Sequence, residues 1–118
     1  LSILFCHLTD EEQDIVGQWL HKNDIAEDLN LYAYTGEPNA VWFLYALNRC
    51  EYKYINIDCV NTMTQALAGY MLGKSNVYYS TGNANLAAVY SHINSNHVSN
   101  VEEFLKGVLG VQTNNSQL

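Results

Sequence analysis

The stretch SILFCHLTDEEQDIVGQWLHKN, residues 2–23, decides the fold. Its first five residues, 2–6, form a continuous apolar run that is too short for a helix. Runs of that kind are strands buried on both faces of a sheet. Thr9 and Glu12 then stand three apart and fit a capping box, in which each side chain satisfies a backbone N–H of the other residue. Asp10, Glu11 and Glu12 crowd the first turn, where the helix dipole favours negative charge. Ile15, Val16, Trp19 and Leu20 make one apolar stripe at helical spacing. A buried strand feeding a capped amphipathic helix is half of a βαβ unit.

The same alternation runs outward along the chain. LNLYAY (29–34) reads as a second strand and TGEPN (35–39) as a turn. AVWFLYALNRC (40–50) is a helix that is apolar over most of its surface, and YKYINID (52–58) is a third strand. TMTQALAGYMLGK (62–74) is a helix with Met63, Ala66, Leu67, Tyr70 and Met71 on one stripe. NVYYS (76–80) is a fourth strand. NANLAAVYSHI (83–93) is a helix with Leu86, Val89 or Tyr90, and Ile93 inward. NHVS (96–99) is a weak fifth strand, and NVEEFLKGVLG (100–110) is a last helix with a continuous apolar face. Five strands alternating with five helices predict a doubly wound five-stranded parallel sheet. For a chain this short, the expected order is the flavodoxin-like 2-1-3-4-5. Residues 1–110 form a single α/β domain in this reading, and 111–118 form a polar, flexible tail.

The chain has 118 residues, a net charge of −7 and only five basic residues. So few cations release few counterions, which argues against a nucleic-acid partner. Cys6, Cys50 and Cys59 are an odd set without CxxC spacing, as expected of reduced thiols in the cytoplasm. No apolar run reaches the length of a membrane span, and the opening residues lack a basic leader. His7, His21, His92 and His97 show no ligand spacing, so no metal and no cofactor are expected.

Parallel sheets bind ligands at the carboxyl ends of their strands. Here that rim carries His7 and Thr9, residues 35–39, residues 58–62, residues 80–85, and Ser99 with Asn100. Its acids are Asp58, Glu37 and Asp10, and it holds no Lys or Arg. The candidates for catalysis are Asp58, Cys59 and Glu37; those for ligand binding are Asp58, Thr62, Thr81, Gly82 and Asn83. HLTDEEQ lacks the glycines of a dinucleotide fingerprint, and its carboxylates would repel a pyrophosphate. STGNAN (80–85) is the one anion-friendly turn, and its simplest reading is a helix cap. Cys59 lies near a helix start and could act with His7, although an inert thiol is the simpler reading. Asn56 stands where a central strand would bury it, so its amide needs partners. Asp58 is expected to cap the third helix near Asn61 and Thr62.

Several of these strings, in order along nearly the whole chain, resemble a response-regulator receiver domain. TGEPNAVWFL is similar to the turn opening the receiver's second helix. YINID looks like the third strand ending on the phosphoacceptor, which makes Asp58 that residue. NVYYSTG looks like the fourth strand with its switch hydroxyl, Thr81, and HVSNVEEFLKGVL like the last strand and helix. The departures fall on the reactive parts: His7 and Leu8 stand where receivers hold magnesium with two acids, and Asn100 where they place a lysine. Phosphoryl transfer depends on that charge neutralisation. The resemblance therefore implies a degenerate receiver, a regulatory domain that works through a protein partner without phosphorylation. The implied contact surface runs from the fourth strand to the last helix, with Tyr90 and His97 on it.

TMTQALAGYMLGKSNVYY is similar, more locally, to the third-helix region of nucleoside deoxyribosyltransferases. Gln65 stands where that family has its glutamate nucleophile, and an amide cannot replace it. That resemblance implies a small nucleoside-binding enzyme only if Asp58 or Glu37 does the work. A self-associating accessory protein, and hence a homo-oligomer, is the third expectation.

Overall fold

The computed structural model describes residues 1–23, 29–34, 40–59 and 65–110. The strands are β1 (Ser2–Cys6), β2 (Asn30–Tyr34), β3 (Tyr52–Asn56) and β4 (Val77–Ser80). The helices are α1 (Asp10–Asn23), α2 (Ala40–Arg49), α3 (Gln65–Leu72), α4 (Ala84–Tyr90) and α5 (Val101–Leu109). All strand pairs are parallel, in the order β2-β1-β3-β4. The predicted tail 111–118, the turn 35–39 with Glu37, and Thr62 lie outside the described residues.

The α/β class and the parallel sheet agree with the sequence pattern, while the described residues form four strands where the sequence suggested five. In place of a fifth strand, one parallel bridge joins His97 to Tyr79. Tyr79 N–H donates to Asn96 O at 3.1 Å, and Val98 N–H donates to Tyr79 O at 2.9 Å. Asparagine side chains take over beyond that bridge. Asn94 Nδ2 donates to Leu72 O at 3.1 Å and to Val77 O at 2.9 Å, and Asn96 Nδ2 donates to Val77 O at 3.2 Å. The Val77 carbonyl is thus met by side chains and not by a strand. Asn100 then caps α5 by accepting Glu103 N–H, so the chain enters a helix directly after the bridge.

The core has two layers, one on each face of the sheet. Val16, Trp19 and Leu20 of α1 and Val101, Phe104 and Leu105 of α5 cover one face, against Ile3, Phe5 and Tyr54. Phe43, Ala46 and Leu47 of α2 and Ala68, Met71 and Leu72 of α3 cover the other, against Leu4, Cys6, Ile55 and Tyr79. Leu86 and Tyr90 of α4 join this second layer. Alternate residues along each strand serve alternate layers, as the pleat requires.

Two predicted stripes are met only in part. Among the described side chains of α3, Ala68, Met71 and Leu72 are buried, while Tyr70 is 47 % exposed with the Lys74 ammonium 4.5 Å above its ring. On α4, Leu86 and Tyr90 lean inward, whereas Val89 and Ile93 point to solvent. Tyr90, expected as an exposed aromatic, is half-buried and meets Tyr79 edge-on at 5.9 Å. Both helices are apolar on more than one side, so periodicity alone does not choose the inward face.

Asn94 is buried, and two carbonyls depend on its amide. An unsatisfied buried group costs about 1–3 kcal/mol. Asn94→Ala should therefore lower the unfolding free energy by about 2–3 kcal/mol in urea titration. It should also speed hydrogen exchange at the Val98 amide. Unchanged exchange there would show that the bridge holds without the asparagine.

Candidate functional site

The strand register sets the geometry of the rim. Cys6 aligns with Tyr34 and Ile55, and Asn56 with Ser80, so the strands end level with one another. β3 tightens into a 3-10 turn, Ile57–Cys59, which lifts Asp58 above the sheet beside the β4–α4 loop.

Both oxygens of the exposed Asp58 carboxylate are engaged. Oδ1 accepts from Thr81 Oγ1 at 2.6 Å, and Oδ2 accepts from Gly82 N–H at 2.7 Å. Thr81 Oγ1 in turn accepts from Asn83 N–H at 3.1 Å. Asn83 is the N-cap of α4 and accepts from the N–H groups of Asn85 and Leu86. The anion-friendly turn read from STGNAN is therefore filled by the protein's own acceptors, with the Asp58 carboxylate in the place of an anion. A Cβ at Gly82 would lie 3.5 Å from Asp58 Oδ2, an ordinary van der Waals distance, so the contact does not itself require glycine. The hydrogen bond from Thr81, with that from Gly82, holds the Asp58 carboxyl below its ordinary value.

A second carboxylate joins the rim from α1. Glu12 completes the predicted capping box: Thr9 N–H donates to Glu12 Oε1 at 2.9 Å, and Glu12 N–H donates to Thr9 Oγ1 at 3.0 Å. The same carboxylate also reaches β3. Its Oε1 accepts from Asn56 Nδ2 at 2.8 Å, and its Oε2 accepts from Tyr54 OH at 3.2 Å. Tyr54 OH is also hydrogen-bonded to Ser80 Oγ. A phenol has one hydrogen, so donation to Glu12 leaves Ser80 to donate to Tyr54. Burial above all pushes the Tyr54 phenol well above its usual range. Asn56 Oδ1 accepts from Asp58 N–H at 3.0 Å, which joins the two halves. The result is one polar chain from Thr9 through Glu12, Asn56 and Asp58 to Thr81 and Asn83.

Searched against protein-family models, characterised protein sequences and solved structures, the chain matches none.

The remaining candidates distribute as follows. Cys59 is exposed, and burial of its thiol together with the charges of Glu12 and Asp58 pushes it up, away from the thiolate a nucleophile needs. His7 is buried at the end of β1 with a positive φ of 60°, and its ring meets Tyr34 edge-on at 5.7 Å. Asn100 is a helix cap. His97 is exposed and stacks on Tyr79 at 5.2 Å. Lys53, the one cation in β3, turns to the opposite end of the sheet, where its Nζ donates to Ser75 O at 3.3 Å. Glu37 and Thr62, and the proposed cap of α3 near Asn61, lie outside the described residues. Among the described residues, no cluster of three His, Cys, Asp or Glu side chains is placed to hold a metal ion. An open groove of about 520 Å³ lies between α1 and α5, lined by Ile15, Trp19, Lys22, Glu102 and Lys106, and none of the candidate residues borders it.

Sequence reasoning missed the second role of Glu12. The capping box explained that residue completely at short range, and only the unexplained Asn56 hinted that a partner would be needed across the sheet.

Asp58→Asn keeps one acceptor for Thr81 but turns an NH₂ against the Gly82 N–H. A hydrogen bond to a charged group contributes more than a neutral one, and exposure brings the expected loss down to about 1 kcal/mol. The folded-state value of Asp58 lies below its unfolded value of about 3.9. The stabilisation is thus present above that value and disappears as pH falls through the folded one. Urea unfolding should show wild type ahead of Asp58→Asn at neutral pH, with the two converging as pH falls through the lowered folded-state value. A gap independent of pH would mean that the carboxylate's charge plays no part.

Proposed function

We propose that the chain is a non-catalytic, receiver-like interaction domain with a regulatory role. The observation that carries this reading is the Asp58 carboxylate, both of whose oxygens are hydrogen-bonded within the protein by Thr81 and Gly82. A phosphoacceptor has to present an oxygen to a phosphorus centre while cations neutralise the developing charge. Among the described residues, the hydrogen-bonded chain that runs through Asp58 is made of hydroxyls, amides and a second carboxylate, Glu12. Negative charge developing on a phosphoryl group would meet the Glu12 carboxylate, and Lys53 is directed to the far end of the sheet. A low-lying carboxyl is also a weak base, which supports a non-catalytic role for Asp58 in other chemistry as well.

The interaction surface proposed for this module starts from α4 and the segment that follows it. Val89 and Ile93 are more than half exposed there, and His97 stacks on Tyr79 at its border. No helix among the described residues is long and apolar enough to cross a membrane.

Incubation with acetyl phosphate and Mg²⁺, read by intact-protein mass spectrometry, tests the reading. The expected spectrum contains the unmodified mass alone. A phosphoryl adduct that is lost in Asp58→Asn would make the chain a working receiver and overturn the proposal.

A further inference from the structure

Charge and apolar surface are divided between the two helical layers. α1 and α5 carry six carboxylates: Asp10, Glu11, Glu12, Asp14, Glu102 and Glu103. α2, α3 and α4 carry none. Eight large apolar side chains are exposed among the described residues, and six belong to this carboxylate-free layer. They are Val41 (81 %), Leu44 (36 %) and Tyr45 (56 %) of α2, Tyr70 (47 %) of α3, and Val89 (57 %) and Ile93 (54 %) at α4 and just beyond it. The outward face of a solvent-facing helix is ordinarily charged or polar. On α2, Val41, Leu44 and Tyr45 hold those positions at helical spacing, and Arg49 is the helix's one charge.

We infer that this layer is a homodimer interface, the α2–α3–α4 face of one copy meeting the same face of a second. The inference names a partner for the interaction module proposed above. Two considerations select a second copy. A two-fold contact sets one patch against the same patch of a second copy, so a patch crowded with carboxylates would face itself. In a chain of net charge −7, the described helices of this layer carry no carboxylate, whereas α1 and α5 carry six. The exposed fractions of the six side chains leave on the order of 500 Å² of surface in water, taking about 150–250 Å² for each large side chain. A standard interface buries about 800 Å² per partner, somewhat over half of it apolar. The layer therefore supplies the apolar area that a stable dimer needs.

Sedimentation equilibrium of the full chain tests this over a hundredfold range of concentration. The expected species is a dimer of twice the 13.3 kDa chain mass. Added salt should tighten the dimer, because it screens repulsion between two acidic copies without breaking any interfacial ion pair. Val41→Glu and Val89→Glu each place a carboxylate against its symmetry mate's surface and should weaken the dimer at least tenfold. Both sites are exposed and helical, so the far-ultraviolet circular dichroism should stay at wild-type values. Asp14→Lys, on the opposite layer, should leave the dimer intact. A chain that stays monomeric throughout overturns the inference. So does a dimer that both glutamate variants form with wild-type affinity, or a monomer that instead binds neutral phospholipid vesicles. Phosphorylation of Asp58 would remove the non-catalytic reading proposed above and leave this result standing.

Discussion

Two carboxylates hold the rim of the sheet together. Glu12 ties the start of α1 to β3 through Tyr54 and Asn56, and Asp58 ties the end of β3 to the β4–α4 loop through Thr81 and Gly82. Glu12 joins the ends of β1 and β3, which are not consecutive in the chain, and Asp58 joins the ends of β3 and β4, whose ladder stops before the loops begin. Side-chain acceptors do that here. The charged form of each acid matches the donors aimed at it, whether N–H or O–H. The same bonds that order the loops also occupy the acids, so structure and reactivity compete for the same lone pairs. At this rim structure takes them.

The far edge of the sheet is held by another device. Beyond β4 the chain makes one bridge at His97 and then relies on Asn94, Asn96 and Asn100. The edge is closed without a full strand, and α5 can start early enough to cover Tyr54 and Tyr78 with Phe104. The acids of α5 sit with those of α1 on the same layer, and the described helices of the opposite layer carry no carboxylate. The distribution of charge over the surface thus follows from which helices share a face.

Much of the fold was legible in the sequence because its signals are local. The apolar runs marked β1 to β4, and Thr9 with Glu12 marked the start of α1. The fifth strand was over-read because NHVS has one inward apolar residue, Val98, among residues that favour turns and caps. The inward faces of α3 and α4 were ambiguous because both helices are apolar all round, which put Tyr70 inside and Tyr90 outside. The site was legible only in part. Asp58 stood out at a strand end, and the hydroxyl and glycine of STGNAN stood out as an anion turn. That the first would fill the second depends on the register of β3 against β4, which the sequence does not print. Glu12's reach to Tyr54 and Asn56 depends in the same way on where α1 crosses the sheet.

The central claim is that the Asp58 carboxylate is a structural anion held by the β4–α4 loop. The most direct measurement is the pH titration of the Asp58 side-chain carbon by NMR, in wild type and in Thr81→Val. The account predicts a wild-type value below the ordinary aspartate value of about 3.9, and an upward shift when the threonine hydroxyl is removed. A wild-type value at or above the ordinary one, indifferent to Thr81→Val, would contradict it.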